Sequence, residues 1–156
     1  MVSELQPGSP IPNPVVADQD GVEQALRERL GPNGAVIYFY PKDATPGCTT
    51  EAQDFQAALS TLKARGVAVI GVSRDSVKSH ANFRATQGLT FPLLSDGDGT
   101  LSEAFGVWQE KKVCGRTCMG LVRTTFLVDG AGLVKKVYAN VKVKGHVQQV
   151  LADLET

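Results

Sequence analysis

Two continuous apolar runs, Ala35-Val36-Ile37-Tyr38-Phe39-Tyr40 and Val67-Ala68-Val69-Ile70-Gly71-Val72, limit the possible folds of this chain more than any other feature. A strand with one face in water alternates apolar and polar residues, whereas a continuous β-prone run suits a strand covered on both faces. Between the runs, Ala52, Phe55, Leu59 and Leu62 fall at helical spacing, and Gly66 ends the stripe. Strand, helix, strand in this order predicts a parallel pair joined by a crossover helix.

The flanking segments extend the pattern. Four prolines (Pro7, Pro10, Pro12, Pro14) make residues 6–14 an extended lead-in to a short strand at Val15-Val16-Ala17, then a turn. Gln24 to Leu30 reads equally as one or two helical turns or an edge strand. Ser76 is a good N-cap for a helix running to Gly88. A short strand at Phe91–Ser95 and a short helix at Thr100–Phe105 follow. Asp129-Gly130-Ala131-Gly132 joins β-prone runs at Thr124–Val128 and Leu133–Tyr138 into a hairpin. Val147, Val150, Leu151 and Leu154 give a closing helix its apolar face. The expectation is a single α/β domain over residues 1–156. It has a thioredoxin-like fold: a central mixed β-sheet with helices on both faces and an N-terminal β extension.

Composition narrows the partners. Sixteen Lys and Arg balance sixteen Asp and Glu, so no long-range field gathers nucleic acid or an anionic membrane. The N-terminus has neither a basic nor an apolar region of the signal-peptide kind, and both apolar runs are too short to cross a bilayer. Three cysteines are an odd number and do not suggest a secreted disulfide framework. A reducing, cytoplasmic setting is the expectation, and a cysteine in a special local environment there points to redox chemistry.

Cys48 has such an environment. In Pro41-Lys42-Asp43-Ala44-Thr45-Pro46-Gly47-Cys48, Thr45 is a preferred N-cap and Pro46 suits the first helical position. Cys48 then stands about two residues further on, among the free N–H groups of the first turn, where capping boxes place an anionic Glu. The thiolate is the nucleophilic form of cysteine. Cysteines at helix N-termini reach pKa values near 6, against about 8.5 for a free thiol, and the ionised fraction at neutral pH then rises roughly thirty-fold. The residues alone therefore nominate Cys48 as a reactive thiol.

The stretch Tyr38–Glu51 closely resembles the active-site segment of peroxiredoxins, specifically the peroxiredoxin Q or bacterioferritin comigratory protein subfamily. Pro41, Thr45 and Cys48 match its Pro-x-x-x-Thr-x-x-Cys motif. Further similar blocks follow in order: Gly71-Val72-Ser73 with Asp75 and Ser76, Ser79-His80 with Phe83, Phe91–Asp96, Arg123–Asp129 and Val141–His146. The resemblance covers roughly residues 34–154. It implies a thiol-dependent peroxidase acting on hydrogen peroxide and organic (alkyl) hydroperoxides, with no cofactor, as a monomer or dimer. Cys48 would be the peroxidatic cysteine, oxidised to sulfenic acid. Thr45 would hydrogen-bond thiolate and peroxide, and Pro41 would shield the sulfur from water. Arg123 would activate thiolate and peroxide, with Glu51 holding that Arg. For His80 the resemblance implies no catalytic role, and a packed or capping histidine is expected.

The chain departs from its relatives in the resolving cysteine. Many of them carry it five residues after the peroxidatic one, where this chain has Gln53; others place it in the second long helix, and no Cys lies between Ser76 and Gly88. Cys114 and Cys118 remain, at positions usually held by Tyr. Either could resolve the Cys48 sulfenate. An external small thiol or thioredoxin-type protein could do so instead, or both could simply replace buried tyrosines. Three rival functions are weaker: a metal module of Cys114, Cys118 and His80 or His146; a Cys-x-x-Cys oxidoreductase, for which position 51 is Glu; and a cysteine hydrolase with a His base.

Overall fold

Residues 5–113 and 115–154 are described by a computed structural model of the chain. They run β1 (Val15–Ala17), β2 (Glu23–Ala25), a 3-10 turn (Leu26–Arg29), β3 (Ala35–Phe39), α1 (Pro46–Ala64), β4 (Ala68–Ser73), α2 (Val77–Gln87), β5 (Leu93–Ser95) and α3 (Thr100–Ala104). The chain continues through β6 (Trp108–Val113), β7 (Arg116–Leu121), β8 (Thr124–Val128), β9 (Val134–Tyr138) and α4 (His146–Leu154). The ambiguous segment 24–30 is both things at once: the end of an edge strand, then a 3-10 turn that buries Leu26.

Seven strands form one mixed sheet in the order β2-β1-β5-β4-β3-β8-β9. The two apolar runs lie side by side in parallel, Ala35 opposite Ala68 through Phe39 opposite Val72. Every residue of β3 is buried because the sheet is covered twice. Val36 and Tyr38 face a core filled by Phe55 and Leu59 of α1, Phe83 of α2 and Val150 of α4. Ala35, Ile37 and Phe39 face a second core with Leu26, Leu101 and Phe105. This is the thioredoxin-like arrangement with helices on both faces and a β extension, β1–β2, at one edge. Tyr38 stacks on Phe55 with ring centroids 4.6 Å apart, joining α1 to the sheet; burying an aromatic of this kind stabilises by about 1.5–3 kcal/mol. Gly71 of β4 leaves room for it, since a Cβ there would lie 3.0 Å from the Tyr38 ring.

One element escapes the apolar pattern. β6 and β7 pair as a separate two-stranded ribbon from Trp108 opposite Leu121 to Val113 opposite Arg116. Gln109-Glu110-Lys111-Lys112 and Arg116-Thr117-Cys118-Met119 show no alternating apolar face, because residues 115–119 are exposed. Only the base is anchored, by buried Leu121 and Val107. None of the described helices is long and apolar enough to cross a membrane.

Candidate active site

Pairing register brings residues distant in sequence to one point. β3 and β8 are antiparallel, with Phe39 opposite Thr124. The chain leaving β3 toward α1 therefore passes the chain entering β8, and Arg123 stands beside it. The N–H of Val141 donates to the Arg123 carbonyl at 2.9 Å and fixes that backbone from the other side.

α1 begins as the local sequence predicts. Thr45 is the N-cap in extended conformation, Pro46 opens the helix, and the N–H of Thr49 closes the first turn onto the Thr45 carbonyl at 2.9 Å. The N–H groups of Gly47 and Cys48 lie at the end of the helix that has no preceding turn to bond to. Cys48 is 1% exposed. Arg123 Nη2 donates to its Sγ at 3.3 Å, and Arg123 Nη1 donates to Glu51 Oε1 at 2.5 Å. One guanidinium thus bridges two residues a helical turn apart, using its fixed fork of donors. Gly47 admits it: a Cβ there would lie 3.3 Å from Nη2.

The structure therefore brings Cys48, Arg123 and Glu51 together. Thr45 is half-buried, and its hydroxyl donates to the Lys42 carbonyl at 2.8 Å rather than capping the helix or meeting the sulfur. Pro41 is exposed at the exit of β3. Cys118 is an exposed free thiol on β7, so for this residue the reading as a replacement for a buried tyrosine does not hold. Cys114 lies outside the described residues. Gln53 is exposed on α1, bonded to Gln87 at 2.7 Å.

The electrostatics fit a held cation. Burial disfavours the Arg123 charge, but Glu51 and Cys48 outweigh it and the net effect is to raise its pKa. Burial pushes the Glu51 carboxyl up to about 7, while Arg123 pulls the other way. Glu51 Oε2 is buried without a hydrogen-bond partner. A group whose folded pKa exceeds its ordinary value of 4.5 contributes its stability below that value and loses it as pH rises through the folded one. Glu51→Gln is accordingly expected to flatten the fall in stability between about pH 4.5 and 7, by about 3 kcal/mol at most. Urea midpoints across that window check this; an unchanged slope would mean that Arg123 fully compensates the buried carboxylate.

Neither histidine bonds to Cys48 among the described residues. His146 Nε2 lies 2.8 Å from Thr125 Oγ1; its pKa is lowered by burial first and by Arg123 second. His80 lies 2.7 Å from Asp43 and 2.9 Å from the Leu94 carbonyl. In the sequence this buried histidine shows only as a family match, and its partner Asp43 carries no signal, since a loop Asp ordinarily reads as solvated. Asp43, Asp75 and His80 are the one set of three described groups whose possible metal-ligand atoms lie within 4.8 Å of one another. The carboxylate oxygens there already accept hydrogen bonds from Tyr40, Ser79, Ser73 and His80 or the Asp43 N–H.

Comparison with known proteins identifies the family and the fold. The family profile of AhpC/TSA matches residues 7–137. A Xanthomonas campestris protein named peroxiredoxin Bcp is 51% identical over 135 residues, covering 86% of this chain and 84% of its own length. Among solved structures, a cysteine-to-serine mutant of Xylella fastidiosa PrxQ superposes with TM-score 0.91 at 38% identity, over 98% of this chain and 97% of that one. The Xanthomonas campestris bacterioferritin comigratory protein, studied for alkyl peroxide reduction, gives TM-score 0.85 at 46% identity over 93% and 96%.

Proposed function

This chain belongs to the AhpC/TSA family as a thiol-dependent peroxidase of the peroxiredoxin type, and we propose that it reduces hydrogen peroxide and alkyl hydroperoxides through Cys48. The observation that carries this reading is the Cys48 sulfur at the start of α1, 3.3 Å from a guanidinium braced by a buried Glu51. The thiolate attacks the nearer peroxide oxygen, an S–O bond forms, and the O–O bond breaks. The sulfur gives two electrons and becomes sulfenic acid; the departing oxygen takes a proton and leaves as water or alcohol. Arg123 and the free N–H groups of the helix start offset negative charge on attacking and leaving atoms alike. Pro41 keeps bulk water from the sulfur, and the Thr45 hydroxyl exchanges its Lys42 bond for the incoming peroxide.

A second thiolate then attacks the sulfenyl sulfur, forms a disulfide and releases water. We assign this step to Cys118 of β7 or to Cys114, supported by the exposure of Cys118 and by the absence of a Cys at position 53 or within 76–88. Cys48 is buried and Cys118 exposed, so the helix start must open locally for the sulfurs to meet. A thioredoxin-type protein or small thiol, of the kind a reducing cytoplasm supplies, completes the cycle.

Intact mass and thiol counting after one equivalent of hydrogen peroxide test both steps. Loss of two hydrogens with a mapped link from Cys48 to Cys118 or Cys114 is the expected result. A gain of one oxygen, or an added thiol captured at Cys48, would make an external thiol the resolving partner. An unmodified Cys48 would overturn the proposal.

A further inference from the structure

His80 is 0% exposed, on α2, with acceptors at both ring nitrogens. Nδ1 lies 2.7 Å from Asp43 Oδ2, and Nε2 lies 2.9 Å from the Leu94 carbonyl oxygen. A backbone carbonyl cannot donate. Asp43 is a carboxylate: its oxygens also accept from the Tyr40 hydroxyl at 2.6 Å and the Ser79 hydroxyl at 2.8 Å. Burial alone would raise its pKa, but hydrogen bonds from His80 and Tyr40 bring it below the ordinary value. Nε2 therefore donates to the Leu94 carbonyl, and Nδ1 lies against the Asp43 carboxylate with the Tyr40 hydroxyl 3.4 Å away.

The charged groups facing it are few. The loop after β3 supplies Asp43, the end of β3 the Tyr40 phenol, and the turn before α2 supplies Asp75; β5 supplies only the Leu94 carbonyl. Asp75 extends the clamp, for its Oδ2 accepts from the Asp43 N–H at 2.9 Å and from the Ser73 hydroxyl at 2.6 Å. Asp43 is thus held through its backbone by the turn between β4 and α2, and through its side chain by α2 and, by way of His80, β5.

The next residue shows what the clamp is for. Ala44 has φ of 64°, a left-handed conformation that costs a non-glycine residue about 1 kcal/mol or more and persists only where its surroundings impose it. Ala44 leads directly into the N-cap Thr45 and the turn that presents Cys48 to Arg123. We propose that His80 donates from both ring nitrogens and that its buried pair with Asp43 is a positioning device for peroxide attack: it holds the strained Ala44 turn, and with it the approach to Cys48, in the reactive arrangement. His80 touches neither sulfur nor peroxide and acts through Asp43. The inference rests on Cys48 as the site of attack.

Nitrogen-15 NMR of the unaltered protein tests the charge, with both His80 ring nitrogens expected to be protonated. His80→Gln, which cannot donate in both directions from one planar ring, tests the positioning. Its rate of sulfenic acid formation with hydrogen peroxide is expected to fall about tenfold or more, because small misplacements of reacting groups cost factors of this size. Alkylation of Cys48 by iodoacetamide needs no aligned peroxide and is expected to change far less. Adding Asp43→Asn, which removes the carboxylate left unpaired, is expected to recover part of the peroxide rate. Peroxide and iodoacetamide rates falling in proportion, an unchanged peroxide rate in a folded variant, or a single ring N–H in the NMR spectrum would each overturn the inference. A Cys48 left unoxidised by peroxide in the unaltered protein, neither sulfenic acid nor disulfide, would instead overturn the peroxidase reading, whatever the state of His80.

Discussion

Cys48→Ser is expected to abolish thiol-dependent peroxide consumption, with a loss of at least about 10³-fold. A serine hydroxyl at this position is nearly isosteric, but it ionises far too weakly to be a nucleophile and cannot store two electrons as a sulfenic acid. The substitution isolates chemistry from folding. Cys48 fills a buried site with Ala52 and Tyr38 in the same core, and burying a hydroxyl in place of the thiol there costs about 1–3 kcal/mol. The thermal transition should accordingly persist while peroxide consumption vanishes. Replacing Cys114 and Cys118 together by Ser should behave differently, retaining the first turnover and losing only the internal disulfide. Residual multiple-turnover activity in Cys48→Ser would move the peroxidatic role to the ribbon, where Cys118 has neither a helix start nor a buried guanidinium beside it.

Much of this arrangement is legible in the sequence, because the physics that specifies it is local or periodic. Thr45 and Pro46 mark the start of α1 by conformational preference, and the apolar runs and helical stripe determine β3, α1 and β4. Ser76 accepts the Ser79 N–H at 3.1 Å, as an N-cap should. Long-range register is less visible. The resemblance connected Arg123 and Glu51, but only the pairing of β3 with β8 shows why a residue 75 positions away reaches Cys48. The β6–β7 ribbon gave no signal because its exposed strands bury no alternate face, so hydrophobic periodicity has nothing to record. Asp43 was hidden for the opposite reason. A carboxylate beside Lys42 in a Pro- and Gly-rich loop looks solvated until the fold brings His80, 37 residues on, against it in the interior.

Arg123→Ala is expected to lower the rate of Cys48 oxidation by about 10²–10³-fold, the loss that follows removal of a preorganised donor from developing charge. Two effects must be separated in that number. The guanidinium acts on the sulfur and on the departing oxygen, and it also neutralises Glu51, a carboxyl with 0% exposure and an oxygen that has no other partner. Leaving a buried charge unpaired destabilises by about 3–5 kcal/mol if it stays ionised, although the Glu51 carboxyl already near 7 can take up a proton and escape most of that penalty. Arg123→Ala combined with Glu51→Gln removes the orphaned charge. If the Arg acts on the reaction, the double variant regains stability while its oxidation rate stays low. If the single variant is slow only because the site has collapsed, stability and rate recover together. Arg123→Lys divides the electrostatic contribution further. A lysine supplies a compact charge but cannot hold Glu51 and Cys48 with separate nitrogens, so it should restore only part of the rate. Full recovery in Arg123→Lys would show that charge alone suffices and that the bridging geometry contributes nothing to peroxide reduction.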